Sequence, residues 1–233
     1  MERQKIVDNP GMLCTTDWQP VLASHTVRAN ANIVGARVVG QDLAVWRSAT
    51  GLVQVWRDRC PHRGVQLSLG RIVDGRLACA YHGWEFAADT GRCMAVPALA
   101  DLATVPGQVC ATVFAAAEAL GMIWVGAQSP TAGVAASRAK PPAGAPAGLF
   151  LRSLGATATL AAIESTLRQR GLTPADPWVW VGLLDDQPVR LFVTCAQDRL
   201  TLVHAWLDAV AAPAHPEQAF AALRRLRTDA EAA

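Results

Sequence analysis

Cys60-Pro61-His62-Arg63-Gly64 and Cys79-Ala80-Tyr81-His82-Gly83-Trp84, with sixteen residues between His62 and Cys79, decide how the rest of the chain is read. Each segment supplies one Cys and one His, spaced C-x-H in the first and C-x-x-H in the second. Thiolate and neutral imidazole both bind soft or borderline metals, so the four side chains can hold one centre. Zinc is the first alternative, but zinc fingers usually pair Cys with Cys and His with His, each pair on its own element. Here the pairs are mixed. That arrangement suits a [2Fe–2S] cluster in which one iron takes both thiolates and the other both imidazoles.

C-x-H-x-G followed by C-x-x-H-G-W resembles the Rieske signature. The strings C-P-H-R-G and Y-H-G-W-E-F resemble the Rieske domain of ring-hydroxylating and O- or N-demethylating non-haem iron oxygenases. The resemblance implies Cys60, His62, Cys79 and His82 as cluster ligands. It extends over about residues 12–127, helped by Asp17-Trp18-Gln19-Pro20-Val21, which is similar to the opening of such domains. Rieske proteins of respiratory complexes carry an extra Cys in each loop, where this chain has Val65 and Tyr81, and a Ser where it has Trp84. Fewer hydrogen bonds to sulfur leave a reduced cluster less stabilised, so a potential of roughly −150 mV rather than +300 mV is expected. Gly64 and Gly83 each follow a His; either they let the backbone turn so that amides point at sulfur, or they are ordinary loop glycines. Tyr81, the only Tyr, has a hydroxyl for a thiolate or a ring for packing. Arg63 and Trp84 are placed to frame an exposed docking tip; the alternatives are a surface charge and an indole packed under the loop.

With 233 residues, 52% hydrophobic and 17% charged, the chain has the make-up of one large or two small globular domains. A net charge of +2, from 19 Arg and 2 Lys spread along the sequence, implies no nucleic-acid role. No apolar run approaches the roughly 20 residues that span a bilayer, and the first residues lack a signal-peptide core. A cytoplasmic protein is expected. Cys14, Cys93, Cys110 and Cys195 have no pairing pattern and read as buried small hydrophobes or free thiols.

Three β-rich runs, 33–39, 43–46 and 52–56, predict an antiparallel meander feeding the first loop. Asp74-Gly75 predicts a hairpin within 71–78 that brings the second loop opposite the first. Further strands are expected at 85–86, 109–114 and 121–125, and Pro97 lies where Rieske domains have a shielding loop. The segment 128–148, dominated by Ala, Pro, Gly and Ser, predicts a semi-rigid linker. Beyond it, Leu160, Ile163 and Leu167 predict a helix stopped by Gly171. Trp178-Val179-Trp180-Val181 and Val189-Arg190-Leu191-Phe192-Val193 predict a hairpin across Asp185-Asp186. Leu200, Val203, Leu207 and Val210 predict a second helix, and Phe220, Leu223 and Leu226 a third. The fold class is mainly β: a Rieske antiparallel β-sandwich over 1–127, the linker, and a small α+β domain over 149–233 of order α-β-β-α-α.

Complete oxygenase subunits of the resembled family continue into a catalytic domain with an iron held by two His and a carboxylate. After His82 only His204 and His215 remain, eleven positions apart with Pro213 between them. His204, among Leu200 and Leu207, reads as a core or interface residue, and His25 has no evident partner. No mononuclear iron is expected in this chain, and no catalytic residue is assigned. The favoured function is an electron-transfer component. It takes electrons from a flavin or iron–sulfur reductase and passes them to an oxygenase subunit that carries mononuclear iron. A shortened oxygenase alpha subunit with its own or an interface-shared iron is the alternative, and a redox-responsive interaction protein the second.

Overall fold

Short runs rich in β-branched and aromatic residues, broken by two-residue turns, favour antiparallel pairing, and the computed structural model shows it throughout. It describes residues 18–99, 109–128, 143–144, 148–208 and 215–233. In the first half the strands are β1 (Gln19–Ala23), β2 (Val34–Val38), β3 (Gln41–Arg47), β4 (Val53–Arg57), β5 (Arg71–Val73), β6 (Arg76–Ala78), β7 (Glu85–Phe86), β8 (Cys93–Ala95), β9 (Val113–Ala119) and β10 (Met122–Gln128). They form a six-stranded sheet, β1-β10-β9-β4-β3-β2, and a four-stranded sheet, β5-β6-β7-β8. Trp46 and Trp56 from the larger sheet, ring edge against ring face at 5.1 Å, pack against Leu77, Phe86 and Cys93 from the smaller one. This sandwich is the one expected. The predicted hairpin turns at Asp74 and Gly75, both at positive φ (48° and 72°).

In the second half the sequence reading is corrected. The elements are β11 (Leu149–Ala156), α1 (Leu160–Gln169), β12 (Thr173–Asp176), β13 (Val179–Leu184), β14 (Gln187–Gln197), β15 (Leu200–Leu207) and α2 (Pro216–Ala232). One five-stranded sheet, β11-β15-β14-β13-β12, carries the two helices. The expected helix at 200–210 is the strand β15 over its described residues; Val210 and Pro213 lie outside them. The reason is burial on both faces. Val203, Ala205 and Leu207 join the core with Ile163, Leu167, Leu223 and Leu226 of the helices, while Trp206 joins a second core on the opposite face. A strand covered on both sides loses its period of two, and an apolar run then contains helical spacings by default. The edge strands β11 and β12 were not foreseen; β12 is exposed along its length and lacks the apolar alternation that marks a strand.

The two halves share a buried seam. Ala23, Met122 and Trp124 pack with Val179, Phe192 and Trp206, and Trp124 meets Phe192 at 5.8 Å. Thr194 Oγ1 donates to the Pro20 carbonyl at 2.7 Å, and the Val39 and Gly40 amides donate to the carbonyls of Cys195 and Ala196 at 2.7 and 2.6 Å. Gly121 sits under the Trp206 ring: a Cβ there would stand 2.4 Å from it. Trp18, expected to pack under the sheet, is half-buried beside this seam. Most of the expected linker, 129–142 and 145–147, lies outside the described residues, as do the first 17 residues.

Candidate metal centre

Two tight loops leave the ends of the sandwich with one backbone frame. In the first, the Cys60 amide donates to the Val65 carbonyl at 2.8 Å and the Gly64 amide to the Cys60 carbonyl at 2.8 Å. In the second, Cys79 donates to Trp84 at 2.9 Å and Gly83 to Cys79 at 3.1 Å. The same offsets, i to i+5 and i+4 to i, close both turns. Each requires a left-handed residue at the fourth position after Cys, and glycine supplies it at φ 77° and 69°. Gly64 and Gly83 thus act as turn formers. Their own amides are spent on the Cys carbonyls, while the amides of His62 and Arg63 reach the Cys60 sulfur.

The loops bring the four side chains into two layers. Cys60 and Cys79 are buried at 3% and 2% exposure and their thiols interact directly. Burial pushes the Cys60 thiol up to about 11, against the lowering effect of the His62 amide. The His62 and His82 rings lie outward of them, 4.8 Å apart, with His82 exposed and His62 half-buried. His62 is held below the usual imidazole range by desolvation first, then by His82 and Arg63, which favours the neutral form that binds metal. Among the described residues no three of His, Cys, Asp and Glu converge on a single ion. Two buried sulfurs behind two imidazoles are instead a two-plus-two set, fitted to a pair of irons each taking two protein donors.

Trp84 stacks flat on His62, 4.2 Å between centroids and 8° between planes, and joins the sandwich core. It packs, and it fixes the orientation of a candidate ligand. Tyr81 lies against His82 at 3.8 Å and is 58% exposed, so its ring is used beside the outer layer. Pro97 covers Gly83, its Cγ 2.9 Å from where a Cβ would stand, which places it over the second loop. Arg63 is exposed.

Sequence reading missed several neighbours. Asp58, 6% exposed, accepts from the Ser68 amide at 2.7 Å and its hydroxyl at 2.6 Å, tying the exit of the first loop to its entry. Arg57, Arg59, Cys110 and Thr112 line a groove beside His62. The alternation Arg57-Asp58-Arg59 next to Cys60 was the available signal. The other histidines are scattered. His204 is buried on β15, its Nδ1 2.6 Å from Ser153 Oγ, and burial lowers it to about 4. His25 meets Phe150 and Trp206 edge-on at 4.8 and 6.4 Å, and His215 stands 3.5 Å from Glu217. Of the remaining thiols, Cys93 is buried, Cys195 half-buried and Cys110 exposed, all unpaired by disulfides.

Comparison with known proteins agrees with this geometry. Residues 17–106 match the family model for the Rieske [2Fe–2S] domain. The chain is 32% identical over 124 residues to protein TIC 55 of Arabidopsis thaliana chloroplasts, covering 53% of this chain and 23% of that protein. It is 36% identical over 115 residues to the oxygenase subunit of 3-chlorobenzoate-3,4-dioxygenase from Comamonas testosteroni, covering 49% and 26%. These matches thus span about a quarter of the length of the curated relatives. Apo dicamba monooxygenase superposes with a TM-score of 0.68 at 18% identity, over 95% of this chain and 87% of its own. That identity speaks for the fold alone, and the fold likeness runs through the second half as well as the first. Residues 17–106 are a Rieske [2Fe–2S] domain, and with it goes a Rieske-type cluster as cofactor. No helix among the described residues is long and apolar enough to cross a membrane.

Proposed function

We propose that the chain is the Rieske electron-transfer component of a multicomponent oxygenase system. It takes single electrons from a flavin or iron–sulfur reductase and passes them to a mononuclear iron on a partner subunit. Cys60 and Cys79 hold the inner iron in this reading, and His62 and His82 the outer one. One observation carries it: two loops with the same backbone frame set the thiols inside and the two imidazoles, 4.8 Å apart, at the open edge. The bound cluster supplies one-electron chemistry. The protein's part is to orient His62 against Trp84, direct the His62 and Arg63 amides at sulfur, and keep the imidazole edge open to a partner. Holoprotein should show a [2Fe–2S] EPR signal on reduction with the low average g of imidazole ligation, and two irons per chain. Stoichiometric zinc in anaerobically prepared protein would refute the cluster.

A second reading, an oxygenase subunit with its own or an interface-shared iron, draws support from the fold likeness to dicamba monooxygenase across both halves. A third iron per chain, or oxygenation of a substrate by the isolated chain with a reductase and Fe(II), would favour it.

A further inference from the structure

Three arginines converge where nothing among the described residues balances them. Arg57, Arg59 and Arg63 line a groove of about 320 Å³ that runs from the end of β4 to His62, and among the described residues no carboxylate lines it. Arg37, Arg47, Arg76, Arg170, Arg190 and Arg225 each meet an acid; these three have no ion pair among the described residues. The Arg57 Nε is buried without an acceptor, an arrangement that costs stability rather than adding to it. Asp58, the nearest acid in sequence, is turned inward onto Ser68 and leaves the groove's charge intact. Arg59 lies across Gly64, its Nε 3.2 Å from where a Cβ would stand, so glycine gives the guanidinium room at the loop. The second loop differs: Tyr81 and Pro97 are its exposed flank.

We propose that this groove is the docking site for the electron donor, and that the donor meets it with an acidic protein surface. The proposal rests on the electron-transfer reading above and concerns its entry step. Uncompensated like charges are a cost that an oppositely charged partner offsets, and they speed encounter by steering. A protein surface fits better than a small acid because Arg59 and Arg63 are exposed at the rim. A small anion there would stay hydrated and screened, whereas a docked protein would cover both. Docking on this side also sets the donor beside His62, at the open imidazole edge.

The test is stopped-flow reduction of the full-length, cluster-loaded chain by a reduced acidic [2Fe–2S] ferredoxin at several salt concentrations. The R57Q/R59Q/R63Q variant should react at least about tenfold more slowly at low salt. Its salt dependence should flatten, while the EPR spectrum stays unchanged. R28Q/R152Q/R224Q removes the same charge from exposed positions outside the groove and should stay close to the unmodified rate. If the triple variant folds poorly, R59Q/R63Q, both exposed, should show a smaller loss of the same kind. Equal slowing by the two triple variants, or a salt-independent rate, overturns the proposal. So does citrate binding that needs the three arginines while ferredoxin reduction does not. Oxygenation by the chain alone would refute the separate-component reading and leave this reduction result standing.

Discussion

In the first half the reactive side chains stand at one end of two small sheets, on loops whose backbone is bent by glycine at positive φ. In the second half the sheet is covered on one face by α1 and α2 and on the other by the first half's tryptophan seam. Its one buried titratable group, among the described residues, is His204, desolvated and bonded to Ser153. One half spends its polar residues on presenting donors at a surface. The other spends apolar residues on holding itself and its neighbour in place. The comparison sets the proposed redox centre on the loops apart from a second half that packs against the first along a buried seam.

The sharpest way to test that division is Cys60→Ser or Cys79→Ser. Each removes a proposed inner donor, and the visible absorbance and EPR signal of the cluster should vanish. Retention of an unaltered signal in either variant would shift the centre away from these loops. Next in size is ending the chain at residue 128. Met122 and Trp124, buried at 0% and 2%, then lose their cover, at a cost of about 5 kcal/mol for the two side chains. That is comparable to the whole stability of many domains, so the truncated protein should aggregate or melt far below the full chain. A truncated protein with an unchanged melting temperature and a normal cluster would show the halves to be independent.

His204 gives the third prediction. Its folded pKa of about 4 lies below the ordinary 6.5, so the unfolded state binds its proton first as pH falls. The stability due to keeping this ring neutral is fully present above pH 6.5 and is lost between 6.5 and 4, to the extent of about 3 kcal/mol. Urea unfolding at pH 7 and pH 4.5 should show it, and His204→Gln should flatten the difference. An unchanged pH slope in that variant would mean that other groups control acid sensitivity. The smallest effect is expected for Gly83→Ala. A side chain at φ 69° costs about 1–2 kcal/mol, and its Cβ would press on Pro97 Cγ at 2.9 Å. Pairing it with Pro97→Ala should recover the steric part only; full recovery would show that the backbone conformation carries no cost.

The spacing of Cys60, His62, Cys79 and His82 was legible because metal chemistry restricts which residue types stand at which offsets, and local turns such as Asp74-Gly75 are set by their own two residues. The α1 stripe was legible for a similar reason: Thr159 caps it and Gly171, at φ 81°, ends it. What tertiary structure alone decided lies where burial comes from distant neighbours. Residues 200–207 became a strand because the sheet lies between helices on one face and Trp124 on the other, which erased the alternation that marks a strand. Arg57, Arg59 and Arg63 became one groove because β4 ends beside the first loop and Asp58 turns inward. Short-range chemistry is written in neighbouring residues, whereas shared burial and converging charge depend on contacts between residues tens of positions apart, which no local pattern encodes.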